Sequence, residues 1–193
     1  MKLKVALASL ALLSCTVSAA PKISNPLNYG ELEIKFGGWS HHFGLDEGDS
    51  YKYNQKHNGI GFEYFLNNED RSPHRIGFGY WEMNDSFNHD SSNTGLIYQY
   101  DTMTGYPILD AIDLNLAIYY MERTKRIRNR VTYETLRYED MNMWIVHPYL
   151  TIRPTKALSL DLMYVPSLDD EYHVEAFFLR GSLNINAVVE ALY

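Results

Sequence analysis

The stretch ELEIKF, residues 31–36, sets Glu31, Glu33 and Lys35 against Leu32, Ile34 and Phe36. Side chains alternate across a β-strand, so this pattern predicts a strand with one wet and one greasy face. The two-residue period returns in GIGFEYF (59–65), RIGFGYWEM (75–83), GLIYQY (95–100) and DLNLAIYYMER (113–123). It returns again in MWIVHPYLTI (143–152), LSLDLMYV (158–165) and HVEAFFLRGSL (173–183), which makes eight predicted strands. Turn-forming runs separate them: NNEDRSP (67–73), NDSFNHDSSN (84–93), RPTK (153–156) and PSLDDE (166–171). Short connections alternate with longer ones over 44–57, 84–93 and 124–142. Alternating segments of about ten residues with that loop asymmetry form the pattern of a transmembrane barrel.

A soluble lipocalin-like barrel alternates too, but its interior is apolar. Here Glu33, Lys35, Glu63, Gln99, Asn115 and Asp161 fall mid-strand on the wet face. Polar inside and aromatic outside favours the membrane version. The expected fold is all-β: an eight-stranded antiparallel up-and-down transmembrane β-barrel. Sixteen tyrosines, eight phenylalanines and three tryptophans suit it. Tyr193 gives the chain an aromatic last residue, as outer-membrane barrels often have, whereas NINAVVEA (184–191) breaks the alternation and fits no strand.

The opening run MKLKVALASLALLSCTVSAA reads as an address. Lys2 and Lys4 give a positive start, Val5 to Leu13 an apolar stretch, and Val17 to Ala19 a small-residue cleavage site. The apolar run is shorter than the roughly 20 residues a spanning helix needs. The expected organisation is a signal peptide over 1–19 and a single β-barrel domain over 20–193, exported to the bacterial outer membrane as a monomer. LLSC is also a tolerable lipobox, which would lipidate Cys15 and fit a third reading, a soluble periplasmic ligand-binding barrel. Cys15 is the only cysteine, so the mature chain has no disulfide and no thiolate chemistry. The formal charge of −7 falls to −9 once Lys2 and Lys4 leave, which argues against a nucleic-acid partner.

GGWSHHFGLD (37–46) puts His41 and His42 at the tip of the first strand, and one hairpin later NDSF (84–87) supplies Asp85 and Ser86. Taken alone, the histidines are two solvated rings and the Asn-Asp-Ser run a plain turn, because all three residue types hydrogen-bond locally. His57, His74, His89, His147 and His173 lack the i, i+2 or i, i+4 spacing of metal ligands, so no metal site is expected. LDEGD (45–49) lacks the spacing and closing glutamate of a calcium loop. RTKRIRNR (123–130) concentrates five positive charges in one predicted loop. Such a run is usually a solvated face, but an arginine cluster can also grip phosphate bidentately.

FGLDEGDSYKYN (43–54), GIGFEY (59–64) and NDSF, with YVPS at 164–167, resemble the lipid A palmitoyltransferase (PagP) family. The resemblance covers most of the mature chain, and Val174 to Leu183 matches that family's final strand. It implies an outer-membrane acyltransferase with no cofactor, moving a fatty acyl chain from phospholipid to lipid A. By that likeness His42, Asp85 and Ser86 are the catalytic candidates and Ile97 is the floor of the acyl pocket; the charge run itself, set in an outer-leaflet loop, would let Arg123, Arg126, Arg128 and Arg130 contact lipid A phosphate. Acyl transfer needs a base to activate a hydroxyl and a polar group for the oxyanion, and histidine titrates near neutrality. The ungapped counterpart of the family's histidine is Ser40. Residues two apart share a strand face, which selects His42, while a one-residue bulge would select His41. No counterpart of the family's N-terminal amphipathic helix is legible in PKISNPLNYG (21–30), and Ile97 in place of a glycine implies a shorter acyl chain. The alternative is a non-catalytic lipid-binding or structural barrel of the same fold.

Overall fold

The computed structural model describes residues 30–44, 49–66, 72–102, 111–129, 131–167 and 174–192. The predicted signal peptide with Cys15, the segment before Gly30, Asp46, Arg130, His173 and Tyr193 lie outside them. Eight strands follow in order: β1 (Gly30–Phe43), β2 (Lys56–Leu66), β3 (His74–Asn84), β4 (Asp90–Asp101), β5 (Ile112–Arg128), β6 (Thr135–Ile152), β7 (Leu158–Val165) and β8 (Glu175–Asn184). Each pairs with the next, and β8 returns to β1, closing the barrel. All ladders are antiparallel.

The outward face is hydrocarbon. Phe36, Ile60, Ile76, Leu96, Leu116, Val146 and Leu160 are all exposed, and one cross-strand row runs Phe62, Tyr80, Thr94, Tyr120, Trp144. An apolar belt edged by aromatics on a closed sheet places these strands in a bilayer, where every backbone group must be paired within the protein. No helix among the described residues is long and apolar enough to cross a membrane.

The lumen is packed and charged. Lys35 donates to Glu33 at 2.7 Å and Asp161 at 2.9 Å, and lies 3.0 Å from Glu63. Arg180 bridges Glu63 and Asp161, while Tyr119 and Tyr149 both donate to Glu63, at 3.2 and 3.1 Å. Arg153 ties Glu33 to Asp113, and Arg75 holds Glu31 and Asp101. A buried charge is tolerated only when paired and hydrogen-bonded, and this lattice meets that condition.

Beside the charges, large side chains fill the space that glycines on facing strands leave open. A Cβ on Gly59 would come within 2.1 Å of the Trp81 ring. Gly59→Val is therefore expected to destabilise the barrel by about 1–3 kcal/mol, the usual effect of overpacking, read as a lower urea midpoint in lipid vesicles.

Every predicted strand is present, and all but β7 run further than the alternation reached at one end or both. β1 continues through His41 and His42 by way of a bulge at Gly37 and Gly38, whose φ values of +83° and +107° suit glycine. Residues 123–128, predicted to lie in a loop, form the end of β5 instead, paired with a β6 that starts at Thr135 rather than Met143. Beyond the membrane this hairpin meets no lipid, and what β5 buries there is polar (Thr124, Arg126 and Arg128), so the apolar period lapses while the ladder continues. The non-alternating tail is a helix, α1 (Ile185–Leu192). Asn184 caps it by accepting from the Ala187 amide at 3.0 Å.

Candidate functional site at the barrel mouth

β1 carries Ser40 and His42 on its lumenal face and turns His41 outward, where it stacks on Trp39 at 6.1 Å. The bulge lies before Ser40, so residues 40 and 42 keep a common face. One hairpin away, the β3–β4 connection brings Ser86 to His42, with Oγ 2.9 Å from Nε2. Either atom can donate, depending on the tautomer. The His42 ring stacks on Tyr53 at 4.9 Å, and its Nδ1 is sealed from solvent with no partner among the described residues.

Asp85 does not join this pair. Its Oδ1 accepts from the Phe87 and His89 amides at 2.8 and 3.0 Å, and its Oδ2 from the Thr124 amide at 3.0 Å. That carboxylate shapes the β3–β4 turn and ties it to the free edge of β5, as the plain turn reading expects. His42 and Ser86 are therefore a pair with no carboxylate orienting the ring, short of triad geometry.

A second serine–histidine pair went unnoticed in the sequence. Ser40 lies 2.7 Å from His57 Nε2, and His57 Nδ1 lies 2.6 Å from the Asn84 carbonyl. The carbonyl can only accept, so Nδ1 carries the proton of the neutral ring and Ser40 donates to Nε2. Both residues are only 2% exposed, which closes the pair to any substrate. The signal was cross-strand: Ser40 donates its amide to Gln55, two residues before His57, but the bulge hides that register from the linear chain.

Around His42 and Ser86 lies a cavity of about 120 Å³. Its lining mixes cationic and aromatic side chains, Arg123, Arg126, Tyr53 and Phe87, with apolar ones, Met141, Val165, Pro166, Val174 and Ala176. Arg123 donates to the Thr124 carbonyl at 3.3 Å and covers Phe87, and it pairs with no carboxylate among the described residues. Arg126 and Arg128 differ from it. Both are buried and both donate to Asp49, Arg126 at 3.1 Å and Arg128 at 2.8 Å. Arg126 also lies over the Tyr51 ring. Two of the expected phosphate contacts are thus struts holding the β1–β2 connection against the hairpin, and Arg123 is the cavity-lining arginine with no carboxylate partner among the described residues. In that connection burial raises the Tyr51 and Tyr53 phenols, helped by the bond to Tyr138 for Tyr51 and by the Asp49 charge for Tyr53. Both phenols stay protonated and able to donate.

Ile97 faces the lumen at 1% exposure, packed with Phe65, Ala117 and Tyr119. Its methyl lies where a side chain on Gly79 would have to go, next to Glu63. Among the described residues no group of three His, Cys, Asp or Glu side chains could hold a metal ion.

Fold and site together define the class: an outer-membrane β-barrel with a filled, charged lumen and a small amphipathic cavity at its mouth. No protein-family model and no curated protein matches the chain. Solved barrels resemble it in fold. The attachment invasion locus protein Ail of Yersinia pestis, in complex with the heparin analogue sucrose octasulfate, is 12% identical over 81% of this chain and 97% of its own, with a TM-score of 0.48. Neisserial surface protein A is 10% identical over 80% and 95%, with a TM-score of 0.43. The N-terminal barrel of Pseudomonas aeruginosa OprF is 17% identical over 81% and 99%, with a TM-score of 0.42.

Proposed function

We propose that the protein is a non-catalytic outer-membrane barrel that binds an anionic amphiphile at its mouth, with the phosphate of lipid A or of a phospholipid set against Arg123. The observation that carries this reading is the cavity itself, which sets Arg123, with no carboxylate partner among the described residues, in one lining with Met141, Val165, Pro166, Val174 and Ala176. A phosphate would complete the guanidinium, since arginine pairs bidentately with its oxygens. The lumen argues against a buried acyl chain, because methylenes laid beside Ile97 would displace Tyr119 and crowd the Glu63–Arg180 lattice.

Arg123→Ala is expected to weaken binding of lipid A to the detergent-solubilised barrel roughly 10- to 100-fold, the usual contribution of a hydrogen bond to a charged group. Dephosphorylated lipid A should bind wild type and variant alike. Equal affinity of the two proteins for intact lipid A would sink the assignment.

Acyl transfer is the second reading, kept because His42 and Ser86 meet at 2.9 Å inside the same cavity. Lipid A mass spectra from cells expressing wild type, His42→Ala and Ser86→Ala separate the two. No added acyl mass is expected in any of them. An added mass lost in both variants would establish the transferase instead.

A further inference from the structure

We infer that α1 is an interfacial membrane anchor, lying in the inner leaflet of the outer membrane with Ile185, Val188, Val189 and Leu192 in phospholipid. Those residues recur at i, i+3, i+4 and i+7, the spacing of one helical stripe. Asn186 and Glu190 fall together on another side, so the helix is cleanly two-faced.

The apolar stripe is only partly covered by protein: Ile185, Val188 and Val189 are half-buried among the described residues. No residue of α1 is buried, and Leu192 is 74% exposed. A helix of eight residues is too short to persist on propensity alone, and needs a surface for its stripe.

Its attachment says which surface. α1 starts two residues after Leu183, a residue on the lipid-facing side of β8, and it is pinned to the edge of β1. Asn186 donates to the Gly30 carbonyl at 2.8 Å and accepts from the Leu32 amide at 3.1 Å, as a paired strand would. One side-chain amide thus ends the ladder and holds the helix beside Leu32 and Leu183, at the rim of the hydrocarbon belt. The stripe continues a surface already covered by lipid. This end lies opposite the long β5–β6 hairpin, and long extensions face outward in such barrels, so the leaflet is the inner one. The helix carries a single charge, Glu190, away from the stripe. It therefore binds through apolar burial at the headgroup boundary and not by attraction to anionic lipid.

The test uses the full chain with Cys15→Ser, which leaves no native thiol, and nitroxides on Val189→Cys or Glu190→Cys in phospholipid vesicles. Power saturation reads collisions with dissolved oxygen, which favours lipid, and with a nickel chelate, which stays in water. The oxygen-to-nickel ratio is expected to be several-fold higher at 189 than at 190. Equal, nickel-dominated access at both sites would put α1 in water and overturn the inference. So would a label at 189 shielded from both reagents, because the stripe would then be packed against protein. Heat-modifiable gel mobility confirms that each labelled barrel is folded.

Discussion

Lys35→Met is expected to cost the barrel about 3–5 kcal/mol, the usual loss when one partner of a buried ion pair is removed. The lumen lattice sets six carboxylates (Glu31, Glu33, Glu63, Asp101, Asp113 and Asp161) against four cations, Lys35, Arg75, Arg153 and Arg180. It is already rich in negative charge, so losing a cation is worse than losing an anion. Lys35→Met leaves Glu33, Glu63 and Asp161 around an apolar thioether, with only Arg153 on Glu33 and only Arg180 shared by the other two. Glu33→Gln removes one negative charge and keeps an acceptor for Lys35, so its effect should be much smaller. Urea unfolding of the two variants in vesicles checks the asymmetry. Equal losses would mean that geometry, not charge balance, governs the lumen.

Asp49→Ala should act on the outer hairpin and leave the barrel standing. Its carboxylate is shared by Arg126 and Arg128, and all three side chains are 5% exposed or less. Without it two desolvated guanidinium groups face each other, and opening the hairpin to water relieves them. Tryptic cleavage at these arginines samples the opened form, so its rate follows the opening equilibrium. At tenfold per 1.4 kcal/mol, a loss of about 3 kcal/mol predicts roughly 100-fold faster cleavage. The urea midpoint of the barrel should stay unchanged. A shift in that midpoint without faster cleavage would show that the strut belongs to the barrel's own stability.

What the sequence disclosed follows from where lipid sits. A strand in the bilayer must present hydrocarbon on one face, so Ile34, Phe62 and Leu160 announce themselves and Glu33, Glu63 and Asp161 mark the lumen by contrast. Residues 123–128 and 135–142 are strand as well, but above the bilayer no lipid demands hydrocarbon on one face, and the side that β5 buries carries Thr124, Arg126 and Arg128. The face shared by Ser40 and His42 could be read from parity alone, and the contact with Ser86 agrees with it. The role of Asp85 could not. Its choice between a histidine and three backbone amides depends on how the β3–β4 turn closes against β5. The Ser40–His57 bond depends on the bulge, and the lattice around Lys35 joins strands far apart in sequence, so neither pairing has a local signature. α1 is illegible for a simpler reason: a helical stripe repeats every 3.6 residues and leaves no period of two.

The uneven height of the strands decides who can reach the mouth. β5 continues to Arg128 past Tyr120, the last aromatic of the belt on that strand. At about 3.3 Å per residue and a tilt of ~40°, the hairpin tip stands roughly 20 Å above the lipid. A bulky visitor from the surroundings therefore meets Val131 and Leu136 first, both largely exposed, and is held off at arm's length. Beside the cavity the β6–β7 ladder ends at Tyr149 and Met163, so a molecule already dissolved in the membrane meets no strand pairing between these two strands above that point. Access is sorted by direction of approach before any affinity comes into play.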